Sequence, residues 1–227
     1  MLNQENRTPI CILCRSSNTL HFCSDDTRME NIRDYYCCKN CRLIFVHPEQ
    51  RLSREEEFSR YELHENDPSD PKYREFLSRM FKPMMERVER SCTGLDFGSG
   101  PGPTLSIMFE EQGHEMNIFD SFYQNDPSVF ERKYDFITAT EVIEHLSDPL
   151  FELDRLWSCL KPGGYFGIMT KRPPANKKFS EWHYKNDDTH IAFYSKETFR
   201  WIGKQWMTSP EFIDKDVTIY QKEIPGN

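Results

Sequence analysis

From residue 91 onward, short apolar runs alternate with helical stretches, and this alternation constrains the fold more than any other feature. CTGLDF (92–97), MNIFD (116–120), YDFITAT (134–140) and YFGIMT (165–170) read as strands, with helices expected over 104–112 and 152–160. The turn LKPGG precedes the fourth strand. Ser195 is an expected N-cap for a helix running through Trp206, and EFID and VTIYQK close the chain as two strands joined by a short turn. Such alternation builds a right-handed, mostly parallel sheet with helices on both faces. The expected class is therefore α/β, a Rossmann-like doubly wound sheet.

The cysteines are segregated toward the other end. Six of the eight fall within the first 41 residues, and Cys92 and Cys159 stand alone in apolar surroundings as small buried hydrophobes. Cys11-Ile-Leu-Cys14 and Cys38-Lys-Asn-Cys41 are two CxxC pairs separated by 23 residues. Each tight turn presents two thiolates, and the chain between folds back to join them, a pattern suited to tetrahedral Zn2+. A small N-terminal zinc ribbon with Cys11, Cys14, Cys38 and Cys41 as ligands is expected. Cys37 competes with Cys38 for the ligand role, and Cys23 is a spare thiol between the pairs. Reduced structural cysteines or a redox pair are the other readings.

Three zones follow: the cysteine module (1–50), a helical connector (51–90) and the α/β domain (91–227). LIFVHP reads as a short strand ended by Pro48. In the connector, Leu77, Met80, Phe81, Met84, Met85 and Val88 recur at helical spacing, one apolar stripe of a packing helix, with Pro83 inside it. The start, MLNQENRTPICIL, lacks a basic region followed by an apolar run, and no apolar stretch is long enough to span a bilayer. A soluble, cytoplasmic protein is the default expectation. With 29 basic against 37 acidic side chains the net charge is −8, which argues against a general polyanion binder.

The glycine loop carries the first chemistry. Leu95-Asp96-Phe97-Gly98-Ser99-Gly100-Pro101-Gly102 sits where a strand gives way to a helix, so the backbone can turn tightly and a ligand can approach free amides. The spacing is G-x-G-x-G, not the dinucleotide G-x-G-x-x-G, and an acid stands two positions before the first glycine. An acid there can accept a hydrogen bond from an amino group, which a pyrophosphate cannot offer. Asp120 ends the next strand, 24 residues after Asp96, where a carboxylate reaches ribose hydroxyls in this class of fold. Together they indicate an adenosine-containing ligand that bears an amino acid.

LDFGSGPG, Asp120, YDFITATEVIEHL and LKPGGYFGIMT resemble the ordered motifs of class I S-adenosylmethionine-dependent methyltransferases, strongly over residues 91–170. The EVIEHL motif is similar to that of the small-molecule branch, as in ubiquinone-pathway methylases. The preceding cysteine pairs resemble those of zinc-bearing sugar C-methyltransferases and of one class of ribosomal RNA guanine methyltransferases. The resemblance implies that Asp96, Gly98 and Gly100 line the methionine end of the cofactor, that Asp120 holds the ribose, and that Thr140 and Glu141 border the ligand. One departure stands out. Only about 14 residues separate Asp120 from YDFITAT, too few for a full strand, helix and strand, so the element usually beside adenine is expected to be shortened or missing.

Methyl transfer needs an aligned nucleophile, excluded water and often a proton acceptor. His145 follows the fourth motif's strand, at the edge where open parallel sheets bind ligands. Residues 171–194 form a second candidate region, rich in aromatics and carrying His183 and His190, a natural substrate cover that also raises a metal possibility. Trp182 or Tyr184 could face a sulfonium, although packing explains them as well. The expected function is methyl transfer to an oxygen or nitrogen of a small molecule, with His145, His183 or His190 as base. An RNA methyltransferase that presents its substrate on the ribbon, and a non-catalytic cofactor-binding partner protein, are the alternatives.

Overall fold

The computed structural model describes residues 8–25, 32–62, 67–174 and 179–226. Residues 1–7 and 26–31 of the cysteine module, 63–66 of the connector and 175–178 of the loop after YFGIMT lie outside them. Along the chain come β1 (Thr19–Asp25), β2 (Arg33–Cys38), β3 (Ile44–Val46), α1 (Arg54–Tyr61), α2 (Pro71–Met85), β4 (Thr93–Phe97), α3 (Thr104–Glu110), β5 (Glu115–Phe119), β6 (Tyr134–Thr140), α4 (Pro149–Cys159), β7 (Leu160–Met169), β8 (Ala192–Phe193), α5 (Lys196–Gln205), β9 (Glu211–Ile213) and β10 (Val217–Gln221).

The large sheet has the order β5-β4-β6-β7-β10-β9. Strands β5, β4, β6 and β7 run parallel, and β10 and β9 are added antiparallel, so the expected doubly wound α/β sheet is present. Alternating side chains send β6 to two cores. Phe136 meets Met80, Met84, Met108 and Phe109 of α2 and α3, whereas Ile137 and Ala139 meet Leu153, Leu156, Phe199 and Ile202 of α4 and α5. The stripe expected on α2 is the face that packs. Gly167 lets Met80 and Met84 reach the sheet, since a Cβ there would lie 2.6 Å from the Met80 sulfur.

Local boundaries differ where side chains cap or bulge the backbone. Helix α4 begins at Pro149, ahead of the expected 152, because the Asp148 carboxylate accepts from Phe151 N at 3.1 Å and proline suits a first turn. LKPGG is a bulge inside β7 instead of a turn before it: Tyr134 pairs with Leu160 and Phe136 already with Tyr165, with Gly163 at φ +81°. Between Asp120 and β6 only a 3-10 turn, Pro127–Glu131, intervenes. β5 is therefore an edge strand, and the element beyond it is missing, as expected.

The cysteine segment forms an antiparallel sheet, β1-β2-β3-β8, whose last strand comes from the far end of the chain. Cys11, Ile12, Leu13, Leu43 and Phe45 share a core with the α4/α5 face of the large sheet. Both cysteine turns close alike: Arg15 N donates to Cys11 O and Arg42 N to Cys38 O, each at 3.0 Å, with Arg15 and Arg42 left-handed at φ 58° and 63°. Cys11 and Cys41 sulfurs are 3.5 Å apart, those of Cys14 and Cys38 are 3.4 Å apart, and all four lie within 4.8 Å of one another. A tetrahedron with arms of roughly 2.3 Å separates its thiolates by about 3.8 Å, so the four can close on one metal ion. Cys38, not Cys37, points into the group; Cys23 and Cys37 pack against the neighbouring aromatic cluster of Tyr35 and Phe193.

Among the described residues no helix is long and apolar enough to cross a membrane. Met80 is fully buried beneath the sheet whereas Met207 is 78% exposed. In urea titrations Met80→Ala should lose about 2–5 kcal/mol of stability, and Met207→Ala should stay within about 0.5 kcal/mol of the parent.

Candidate active site

The carboxyl ends of β4, β5, β6 and β7 open onto one cavity of about 670 Å³. Ligand sites typically occupy roughly 300–1,000 Å³ and lie at this edge of open parallel sheets. Its wall includes Gly98, Gly100 and Asp120, then Thr140 and Glu141, and also His145, Tyr184 and His190.

The glycine loop turns through left-handed φ at Gly98 (+77°) and Gly100 (+66°). A Cβ at Gly98 would stand 2.3 Å from Val142, so glycine is required by both conformation and space. Asp120 holds this loop against its own turn: Oδ2 accepts from Gly100 N at 2.9 Å, and Oδ1 from Phe122 N at 2.9 Å and Tyr123 N at 3.1 Å. A carboxylate has about four acceptor sites, so one stays open to a ligand hydroxyl. Asp96, expected at the ligand, is not on the cavity wall. It lies beneath the loop, accepting from Thr138 Oγ1 at 2.7 Å and Ser106 Oγ at 3.3 Å, and burial pushes its carboxyl up to about 6. Strand β4 ends with residues alternating between the sheet's faces, and Asp96 takes the inner one.

Two lining residues have unspent polar capacity. Thr140 Oγ1 and Glu141 Oε1 are buried without a hydrogen-bond partner. Glu141 also sits at φ +50°, a conformation that costs a non-glycine residue about 1 kcal/mol or more. Its amide donates to Met169 O at 2.8 Å, which ties the strained residue to the end of β7.

The tyrosine of the loop after β7 joins the two glutamates of EVIEHL. The Tyr184 hydroxyl donates to Glu141 Oε2 at 3.1 Å and makes a close hydrogen bond to Glu144 Oε1. Glu144 is wholly buried, and desolvation, reinforced by the charge of Glu141, pushes its carboxyl up to about 8. The His145 and His190 rings meet edge to face with centroids 4.8 Å apart. His145 Nδ1 lies 3.1 Å from Thr189 O and His190 Nδ1 lies 2.7 Å from Tyr184 O. A carbonyl only accepts, so each Nδ1 carries a proton, and in the neutral form of either ring the lone pair is on Nε2. Burial pulls the His190 pKa down, and its Nε2 stands 3.8 Å from Asp187 Oδ2.

The three candidate histidines therefore separate. His145 and His190 come together beside Glu144, whereas the exposed His183 lies on the wall outside that group. One donor atom each from Glu144, His145 and His190 lie within 4.8 Å of one another, an oxygen and nitrogen set that can also hold a divalent ion. Trp182 packs into the core beside Phe193, and Tyr184 bridges carboxyls. Glu144 was not singled out from sequence, though its place inside EVIEHL was visible; the role of Tyr184 had no local signal.

The raised pKa of Glu144 has a thermodynamic consequence. Between the ordinary 4.5 and about 8 the native state keeps a proton that the unfolded chain has released, so stability falls as pH rises through that window. Glu144→Gln, which mimics the protonated acid, should flatten the fall when unfolding free energy is measured across this range.

Residues 63–206, nearly two-thirds of the chain, match a family described as a methyltransferase domain. Curated relatives include the ubiquinone biosynthesis O-methyltransferase of Proteus mirabilis, 30% identical over 86 residues (38% of this chain and 35% of that protein). That of Histophilus somni is 29% identical over 94 residues, 40% of this chain and 38% of that protein. The chain thus spans little more than a third of the length of the curated relatives it matches. Among solved structures, a 1,6-didemethyltoxoflavin-N1-methyltransferase of Burkholderia thailandensis, with bound 1,6-didemethyltoxoflavin and S-adenosylhomocysteine, superposes with TM-score 0.52 at 14% identity, covering 81% of this chain and 96% of that one. A SAM-dependent methyltransferase of Archaeoglobus fulgidus gives 0.51 at 19% identity, covering 66% and 94%. These structural likenesses establish a shared fold. With the family match over β4 to α5 and the glycine loop at the sheet's edge, they lead to one conclusion: this chain belongs to the methyltransferase-domain family.

Proposed function

We propose that this protein is an S-adenosylmethionine-dependent methyltransferase acting on an oxygen or nitrogen of a small molecule. One observation carries the reading: a single cavity is walled both by the glycine loop and Asp120 and by His145 and His190, which group with the buried Glu144. The unpartnered Thr140 Oγ1 and Glu141 Oε1, on residues of the same wall, and the open acceptor site on Asp120 suit a ligand with amino and hydroxyl groups. Bound there, S-adenosylmethionine supplies an electrophilic methyl group carried on a sulfonium.

Gly98, Gly100, Asp120, Thr140 and Glu141 are assigned to the cofactor, with Asp96 holding the loop from below. His145 or His190 takes the proton of the nucleophile on Nε2, while Nδ1–H stays on its carbonyl and keeps the ring oriented. His190 is suited to this because burial favours its neutral form and Asp187, 3.8 Å from Nε2, offsets the imidazolium charge. His183 contributes to the acceptor wall. The Cys11, Cys14, Cys38 and Cys41 group is assigned to structural Zn2+, which four thiolates in a closed tetrahedral site favour. A net charge of −8 supports a small acceptor over RNA.

Incubation with methyl-tritiated S-adenosylmethionine and host extract should place label in the small-metabolite fraction; label in nuclease-sensitive material would move the function to RNA. By calorimetry Asp120→Ala should lose cofactor binding. His145→Gln and His190→Gln should retain it, with the variant of the proton acceptor losing about 10²–10⁴-fold in turnover. Metal analysis separates the cysteines: Cys38→Ser should lose zinc, while Cys37→Ser keeps it.

A further inference from the structure

The cysteine module reaches the cavity through a buried cation for which the proposed chemistry has no use. Arg33 opens β2, the strand that ends at Cys38, and only 4% of it is exposed. Its guanidinium donates to three main-chain carbonyls of the loop before β8: Asp187 at 3.2 Å, Asp188 at 3.0 Å and His190 at 3.2 Å. The residue enclosed by those carbonyls is Thr189, whose own carbonyl takes the Nδ1–H of His145. The next residue is His190. Two further ties come from the same sheet: Lys185 makes a buried ion pair with Asp25 of β1, and Tyr35 of β2 donates its hydroxyl to Lys185 O at 3.4 Å.

A guanidinium taken out of water is tolerated only when its donors are used, and its planar fork fixes the positions of what it binds. Three of the fork's contacts go to backbone carbonyls, with the Asp188 carboxylate 3.9 Å from Nη1, so it sets the path of 187–190 as well as balancing a charge. Both histidine rings read that path, His145 through Thr189 O and His190 through its own backbone.

We infer that Arg33 is a positioning residue for methyl transfer: mounted on the strand that ends in Cys38, its guanidinium fixes the backbone of 187–190 and thereby the orientation of His145 and His190. The cysteine module is then part of the acceptor end of the site, not an appendage that presents substrate. This rests on reading the two histidines as acceptor-side groups.

The test uses the full chain and needs no identified acceptor. In spectra of protein labelled with ¹⁵N-histidine, the hydrogen-bonded Nδ1–H of each ring gives a slowly exchanging signal, assigned by its loss in His145→Gln and His190→Gln. Arg33→Met should bind S-adenosylhomocysteine as the parent does yet lose or broaden both signals. Arg33→Lys keeps the charge and guards against a failure to fold; a single ammonium lacks the planar fork, so the His145 signal at least should disappear. Both signals surviving in the folded Arg33→Lys protein would overturn the inference, as would their disappearance only together with cofactor-product binding. Methyl transfer into extract at saturating cofactor should fall by about 10²-fold in Arg33→Lys, with the cofactor KM unchanged. Absence of S-adenosylhomocysteine binding in the parent would instead count against the methyl-transfer reading, while the ring signals would still decide the role of Arg33.

Discussion

A carboxyl group removed from water must find donors or keep its proton, and the cavity is arranged around three that have been so removed. Asp96 obtains two hydroxyls, from Thr138 and Ser106, and becomes a brace beneath the glycine loop. Glu141 and Glu144 share one hydroxyl, that of Tyr184, which crosses from the loop after β7 to reach them. That single phenol joins the residues after β6 to the loop before β8. Without it, two carboxyls whose pKa values burial already raises would face each other with no shared donor.

The second organising feature is the joining of two sheets. β3 and β8 pair, and the module's apolar residues enter the same core as α4 and α5. The thiol group stays distinct from the cavity, yet the strand that carries Cys38 also carries Arg33 and Tyr35, both of which hold the loop containing Lys185 and His190. Structural and chemical halves of the protein thus meet on one strand, with Cys38 at one end and a buried cation at the other.

The parts legible in the sequence are those written in short stretches. The strands, the amphipathic α2, the glycine loop and the CxxC pairs each depend on residues within a turn or two of one another, so periodicity and spacing suffice. The short link after Asp120 correctly implied that β5 has no outer neighbour. Helix α4 begins early and LKPGG bulges because a single cap and a single left-handed glycine shift boundaries that periodicity sets only coarsely. Asp96 occupied the right position in the motif, but only the pleat decides which face a side chain takes. Arg33 and Lys185 left no signal, and Tyr184 none for its bridge to the glutamates, since their partners lie 40 to 160 residues away in sequence.

The pairing of β3 with β8 also orders events during synthesis. Cys11 to Cys41 is a local unit, and its two turns can close as soon as they leave the ribosome. The outer edge of β3 then waits for residues 192 and 193, about two-thirds of the chain's length later. Long-range closures of this kind are slow because chain entropy must be lost before the contact repays it. An exposed strand edge left waiting is also a template for pairing with another chain. The loop that carries His183 and His190 precedes β8 directly, so the wall it lends to the cavity is among the last parts of the molecule to take shape. The nascent protein can thus bring its four cysteines together and form the glycine-loop edge before that wall is complete.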